Sequence, residues 1–296
     1  MSGSLTPAVD RRATLTSGLG GRRTAVDRLM RGLAVACTAI CIVPLVAILL
    51  YVTVQGIKGL SVDLLTKPPT TLGEGGGAVN SILGTIQMVG LASLLAIPLG
   101  VLAGVYLSEY ASGRVARTVR FAGDVMVGIP SILIGVFVFT ILVLPFGQYN
   151  AFAGAVSLAV IMIPVIMRTT EEILVLVPDA LREASYALGI RRYRTILTIV
   201  IRTGLAGILT GVMLAVARAA GETAPLIMTA LGSRLVNVFQ WGQPMDAMSL
   251  FVYNGSRSPY PAVQEQAWAV AFLLLLFVLV INVIVRARSW GQKMSS

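Results

Sequence analysis

Six stretches of this chain are apolar for long enough to cross a lipid bilayer, at about residues 32–55, 79–107, 121–144, 151–167, 204–230 and 266–285. A spanning helix needs about 20 such residues. Hydrocarbon offers no water to satisfy a free amide, so each run must close its hydrogen bonds within itself, which a helix does. The expected fold class is therefore all-α integral membrane, with six transmembrane helices. The fourth run is short for a span, and the second is long enough to tilt.

Charge then sets orientation. Only 12% of residues are charged, yet the net charge is +10. With the N-terminus inside, the inside segments collect Arg11, Arg12, Arg22, Arg23, Arg28 and Arg31, then Arg114, Arg117 and Arg120. They also collect Arg168, Arg182, Arg191, Arg192, Arg194 and Arg202, and finally Arg286, Arg288 and Lys293. The outside keeps only Lys58, Lys67, Arg234 and Arg257. That asymmetry follows the positive-inside rule with both termini cytoplasmic, and it places the basic excess beside anionic lipid, not nucleic acid. Residues 1–30 are expected to be a polar, flexible cytoplasmic tail, 31–286 the membrane domain with a cytoplasmic loop at 168–203, and 287–296 a second tail. The first apolar run is too long for a signal peptide and has no small-residue cleavage pattern behind it. Trp241, Trp268 and Trp290 fall near span boundaries, where amphipathic rings sit.

Several chemistries are disfavoured. There is no histidine, which removes the commonest general base and metal ligand. Cys37 and Cys41 lie one turn apart in an apolar run and read as packed side chains on one helix face. No metal site is expected. The run Gly73 to Gly77 is not followed by Lys and Ser/Thr, so it is not a P-loop. The chain is thus expected to bind no cofactor and to hydrolyse no ATP itself. Glu222 is the one acid expected at mid-membrane, with no nucleophile and base beside it, which argues against a membrane-embedded enzyme.

Two features carry chemistry. Arg218 and Glu222 fall in the middle of the fifth run, where each charge costs about 2.5–3.5 kcal/mol to insert and marks a functional site by default. Four residues apart, they can neutralise one another as a structural ion pair. They can equally line an anion path, because an arginine fork gives a tetrahedral oxyanion two parallel hydrogen bonds. In that reading Gly221 lets a neighbouring backbone approach and Pro225 frees the Gly221 carbonyl. The second feature is the loop at 168–203. Pro178 and Asp179 suit a helix start, Leu181, Ala184, Ser185 and Leu188 recur at helical spacing, and Gly189 supplies a stop. Such a helix either rests on the membrane surface or docks into a soluble partner and carries its motion inward.

Smaller signals complete the pattern. Pro98, Pro130, Pro164 and Pro225 are expected to kink spans. Gly100 and Gly104 offer close helix packing. Gly128-Ile129-Pro130-Ser131 either kinks the third span or breaks it, as in transporters. Asp124 is expected to pair with Arg120 on the surface.

Glu183-Ala184-Ser185, then Gly189 and Ile199, resembles the EAA loop of ABC importer permeases, with Ser185 in place of the second Ala and Ile201-Arg202 where Leu-Pro often stands. The run Ala217-Arg218-Ala219-Ala220-Gly221-Glu222-Thr223-Ala224-Pro225-Leu226 is similar to the signature of the phosphate-specific transport permeases. Gly84-Thr85, Ile97-Pro98-Leu99-Gly100, Tyr106-Leu107-Ser108-Glu109-Tyr110 and Gly128-Ile129-Pro130-Ser131-Ile132 match it too, in the family's order from about 80 to 230. Of that system's two homologous permeases, the A subunit is the more similar.

The resemblance implies a type I ABC importer permease of the bacterial cytoplasmic membrane, carrying inorganic phosphate. It implies Arg218, Glu222 and Thr223 along the substrate path, and Arg182, Glu183, Ala184 and Gly189 in coupling to the ATPase. It also implies a homologous permease as heterodimer partner, two ATP-binding subunits holding ATP and Mg²⁺, and an extracytoplasmic phosphate-binding protein received by the loops at 57–78 and 231–265. Physics alone leaves open another tetrahedral oxyanion, such as sulfate or phosphonate, and a passive anion channel.

Overall fold

The computed structural model describes residues 17–70 and 76–293, with side chains described from 23 to 70 and from 76 to 284. Among them the chain is helical: α1 (Ser17–Lys58), α2 (Val62–Thr66), α3 (Val79–Glu109) and α4 (Gly113–Gly128). Next come α5 (Ser131–Phe146), α6 (Ala151–Val175), α7 (Asp179–Ala187) and α8 (Arg192–Gly221). The last three are α9 (Ala224–Thr229), α10 (Met248–Ser256) and α11 (Pro261–Lys293). Single π-helical turns interrupt α5 at Phe139–Val143 and α8 at Ile196–Val200. Helices α1, α3, α6, α8 and α11 are long and apolar enough to cross a membrane, and α4 with α5 forms a sixth, bent span.

The chain divides into two units within α1, between Thr53 and Val54. The described part of the first is one helix that continues through Pro44, with apolar side chains exposed as a lipid-facing span requires. The second unit is a bundle around the α3–α6 pair. A Cβ on Gly104 would lie 2.6 Å from both the Met167 carbonyl and the Thr170 side chain, and Gly100 faces Ile166. The two small residues therefore let the helices meet backbone to backbone, as their spacing predicts. Helix α8 lies on α6, with Gly204 and Gly207 against Ile173 and Gly211 against Thr169. Met88, Leu158, Met162, Ile166 and Val200 are buried in the resulting core.

Several expectations are corrected. Of the kink and the break left open for Gly128-Ile129-Pro130-Ser131 in the third span, the break is found: Ile129 is extended (φ −69°, ψ 131°) and α4 and α5 meet at 103°. Pro130 explains the break, since it disfavours helical geometry in the residue before it and lacks an amide. The fourth span runs on to Val175, because Arg168 and Glu171, which look like loop residues in the sequence, are matched by charges on α4. Asp124 pairs with Arg168 at 3.1 Å, not with Arg120, which instead binds the buried Glu171. The fifth span stops at Gly221 and does not run on to 230. Of the segment expected as a tail, residues 17–30 are helix, extended backwards from the continuous apolar run behind them, and residues 1–16 lie outside the described residues. The C-terminal segment expected as a tail from 287 is helical as far as Lys293. The loop at 231–265, which carries no apolar period, folds α10 within it.

Candidate functional site

Helix α8 shows the bundle a face of Gly211, Ala215, Ala219 and Ala220, all buried, and turns Leu214, Arg218 and Gly221 outward. Arg218 therefore stands on the uncovered side of a helix whose other side is packed. Its side chain is 45% exposed and meets Glu222 through one contact, Nε to Oε1 at 3.4 Å, while Glu222 is 16% exposed. The pair is loose and accessible, unlike a sealed structural ion pair.

Its setting differs from the expected mid-helix position. Glu222 is past the last turn of α8, with φ −71° and ψ 128°, and its carbonyl accepts a hydrogen bond from Ser249 Oγ at 2.9 Å. Thr223 is half-buried and opens α9, its carbonyl accepting from the Ile227 amide at 3.1 Å. Pro225 thus sits in the first turn of a new helix, where its missing N–H costs nothing. It does not kink a continuous one. Nothing of this subunit lies within 4 Å of a Cβ built on Gly221, which is exposed beside Arg218. Close approach occurs instead at Gly135 of α5, which packs on the Pro225 backbone. The broken α4–α5 span and the broken α8–α9 segment are neighbours through that contact.

The second cluster is α7. Gly189 ends it with φ +75°, a left-handed conformation that only glycine adopts freely, and its amide bonds the Tyr186 carbonyl at 2.9 Å. The residues at helical spacing are mostly turned outward: Leu181, Ala184 and Leu188 are exposed, as are Glu183 and Gly189. Ser185 is buried and its hydroxyl meets Thr195 Oγ1 at 2.7 Å, so this departure from the resembled pattern is matched by a partner at the start of α8. Among the four coupling candidates, Arg182 is the exception. It points into the subunit, 14% exposed, and donates to Glu109 Oε1 (2.7 Å), Asp179 Oδ1 (3.0 Å) and the carbonyls of Leu174 and Val177. The hydrogen bond to Glu109 raises its pKa above the ordinary value, against desolvation.

The structure adds residues that sequence reasoning passes over. Glu109 is 4% exposed, and Asp246 is buried in the segment between α9 and α10, where its carboxylate accepts from Ser81 Oγ. Burial pushes Asp246 up to about 6. It lines a cavity of about 430 Å³ together with Asn80, Arg234, Asn254 and Gln266. No cluster of His, Cys, Asp and Glu among the described residues has the makings of a metal site. Arg218 and Glu222 stand out in sequence because they interrupt an apolar run; Glu109 sits just past a run end and Asp246 in a loop, where an acid is unremarkable.

Comparison with known proteins agrees with this arrangement. Residues 96–288 match the family described as binding-protein-dependent transport system inner membrane component. A phosphate transport system permease protein PstA of Haemophilus influenzae is 40% identical over 261 residues, covering 88% of this chain and 92% of that protein. The protein of the same name in Pasteurella multocida is 42% identical over 240 residues, covering 81% and 85%. Among solved structures, a bacterial alginate ABC transporter in complex with its alginate-bound periplasmic protein aligns with TM-score 0.65 at 14% identity, covering 90% of this chain and 96% of that one. The inward-facing MetNI methionine ABC transporter aligns with TM-score 0.61 at 21% identity, covering 72% and 94%. At such identities these two speak for the fold alone.

Proposed function

The chain belongs to the phosphate transport permeases among the binding-protein-dependent inner membrane components, and on that premise we propose that it carries inorganic phosphate as one permease subunit of an ATP-driven importer. It is a multi-pass protein of the inner membrane with ATP-binding and substrate-binding partners. The finer composition is part of the proposal: a homologous permease as second half, two ATP-binding subunits that hold ATP and Mg²⁺, a phosphate-loaded binding protein outside, and both termini in the cytoplasm.

The observation that carries the proposal is the exposed Arg218 guanidinium on the uncovered face of α8, loosely held by Glu222 at a chain break. Two permeases meeting over this face enclose a path. A dianion reaching it exchanges with the Glu222 carboxylate for the guanidinium, which keeps its charge and its fork geometry when water is excluded. Exchange, not tight capture, suits a carrier, since the anion must leave as readily as it arrives. Thr223, at the break, offers a hydroxyl beside the same stretch. On the cytoplasmic side, the exposed Glu183, Ala184 and Gly189 with the apolar Leu181 and Leu188 form the surface on which an ATP-binding subunit docks. Closure of the ATP-bound dimer presses on α7 and opens the path outward; hydrolysis resets it.

Uptake of labelled phosphate tests this reading. With Arg218→Gln in an otherwise intact complex, uptake falls roughly 10- to 100-fold, the loss expected for a hydrogen bond to a charged group. Wild-type uptake at equal subunit amounts contradicts the assignment. Omitting ATP from the same vesicles stops uptake in a pump and leaves it intact in a passive channel, and competition by sulfate or phosphonate separates phosphate from other oxyanions.

A further inference from the structure

Helix α7 joins α6 and α8 in sequence, so force applied to it has an obvious covalent route into those two. The hydrogen bonds describe a third route. Arg182 of α7 binds Glu109 Oε1 at 2.7 Å across 73 residues of chain, and Glu109 is the last residue of α3. Arg192, which opens α8, donates to the Glu109 main-chain oxygen and stacks over the Tyr110 ring, 4.7 Å from its centroid. The same Arg182 guanidinium also takes up the Leu174 and Val177 carbonyls at the end of α6. The last turn of α3 thus holds the coupling helix and both of its flanks. A cleft of about 530 Å³ lined by Ser108, Asp179 and Tyr186 runs alongside.

At its other end α3 holds the outer loop. Asn80 donates to the Ser233 carbonyl, Ser81 to Asp246, and Thr85 Oγ1 accepts the Met248 amide at 2.8 Å. Between these ends α3 is one continuous helix of 31 residues, about 46 Å long, backed by α6 along Gly100 and Gly104.

We propose that Glu109 is a positioning residue that clamps the coupling helix to α3, making α3 the strut that links ATPase docking on one side to the outer loop at 231–247 on the other. The inference rests on the importer reading above. In it, Arg182 acts through Glu109 and not by touching the ATPase. The ion pair is buried at one end only, so its two charges hold each other while α7 stays exposed to its partner.

The test uses the full complex in vesicles with phosphate-loaded binding protein. Glu109→Ala lowers the stimulation of ATP hydrolysis by loaded binding protein, and the phosphate moved per ATP, by at least about fivefold, the lower range of coupling energies between sites. Wild-type values for both in an assembled complex overturn the proposal. A second arm guards against a folding defect: with Cys37→Ser and Cys41→Ser in place, Glu109→Cys with Arg182→Cys is assayed before and after a short bifunctional thiol reagent. Stimulation that returns once the two sites are joined supports the clamp, and equal stimulation before and after overturns it. The unmodified complex in the same vesicles separates the two readings. If it moves no phosphate with ATP, the importer reading fails, while binding-protein stimulation still reports on Glu109.

Discussion

Asp246 is a buried acid whose ordinary partners would be water, and Ser81 and the Ala247 amide stand in their place. Its carboxyl is raised from 3.8 to about 6, so the folded protein holds a proton that the unfolded chain has already lost. Stability from this site is therefore greatest below pH 4, falls as pH rises towards 6, and is lowest above it, by at most on the order of 3 kcal/mol. Asp246→Asn keeps an acceptor for Ser81 and removes the charge. In thermal melts the variant is expected to exceed the parent at pH 8, with the gap closing towards pH 4; a gap independent of pH contradicts the assignment. Residues of this kind show where sequence reading stops. Arg218 and Glu222 are legible because a charge inside an apolar run is costly. The partners of Glu109, Asp246 and Glu171 lie 73, 165 and 51 residues away. No local spacing encodes them, and the same blindness gave Asp124 its neighbour Arg120 in place of Arg168.

The existence of the spanning helices was legible, since run length in hydrocarbon decides it, and α7 was legible down to its Gly189 stop. Helix direction was not. Pro130 fixes where the third span breaks, but the 103° angle depends on contacts such as Gly135 on the Pro225 backbone. The fifth span ends at Gly221 for a similar reason, with Ser249 taking up the carbonyl of the extended Glu222. Helix α10 gives no periodic signal, yet it is held by the Thr85 hydroxyl at its start and the Gly255–Ala267 contact at its end. At this scale the coupling helix makes a clear prediction. A Cβ on Gly189 meets no neighbour, but the φ of +75° costs a substituted residue about 1–2 kcal/mol. Gly189→Val should insert into the membrane normally and recover severalfold less ATP-binding subunit on co-purification. Undiminished recovery counts against α7 as the docking element.

In the importer proposed above, this chain is one half of a conduit. Among the described residues α3, α6 and α8 pack closely through their glycines, and Arg218 at the α8 break stands on the uncovered side of that helix. One end of α3 meets α7, and the other meets the loop that carries Asp246 and its polar cavity. In the importer proposed above, the path for phosphate passes over Arg218, between this subunit and its homologue. Thiol accessibility measures this directly. In the complex with Cys37→Ser and Cys41→Ser, Arg218→Cys is treated with a small water-soluble thiol reagent, with and without ATP. The prediction is rapid labelling whose rate changes between the two conditions, as the path turns from one side of the membrane to the other; a thiol at 218 that stays unreactive in both would contradict it.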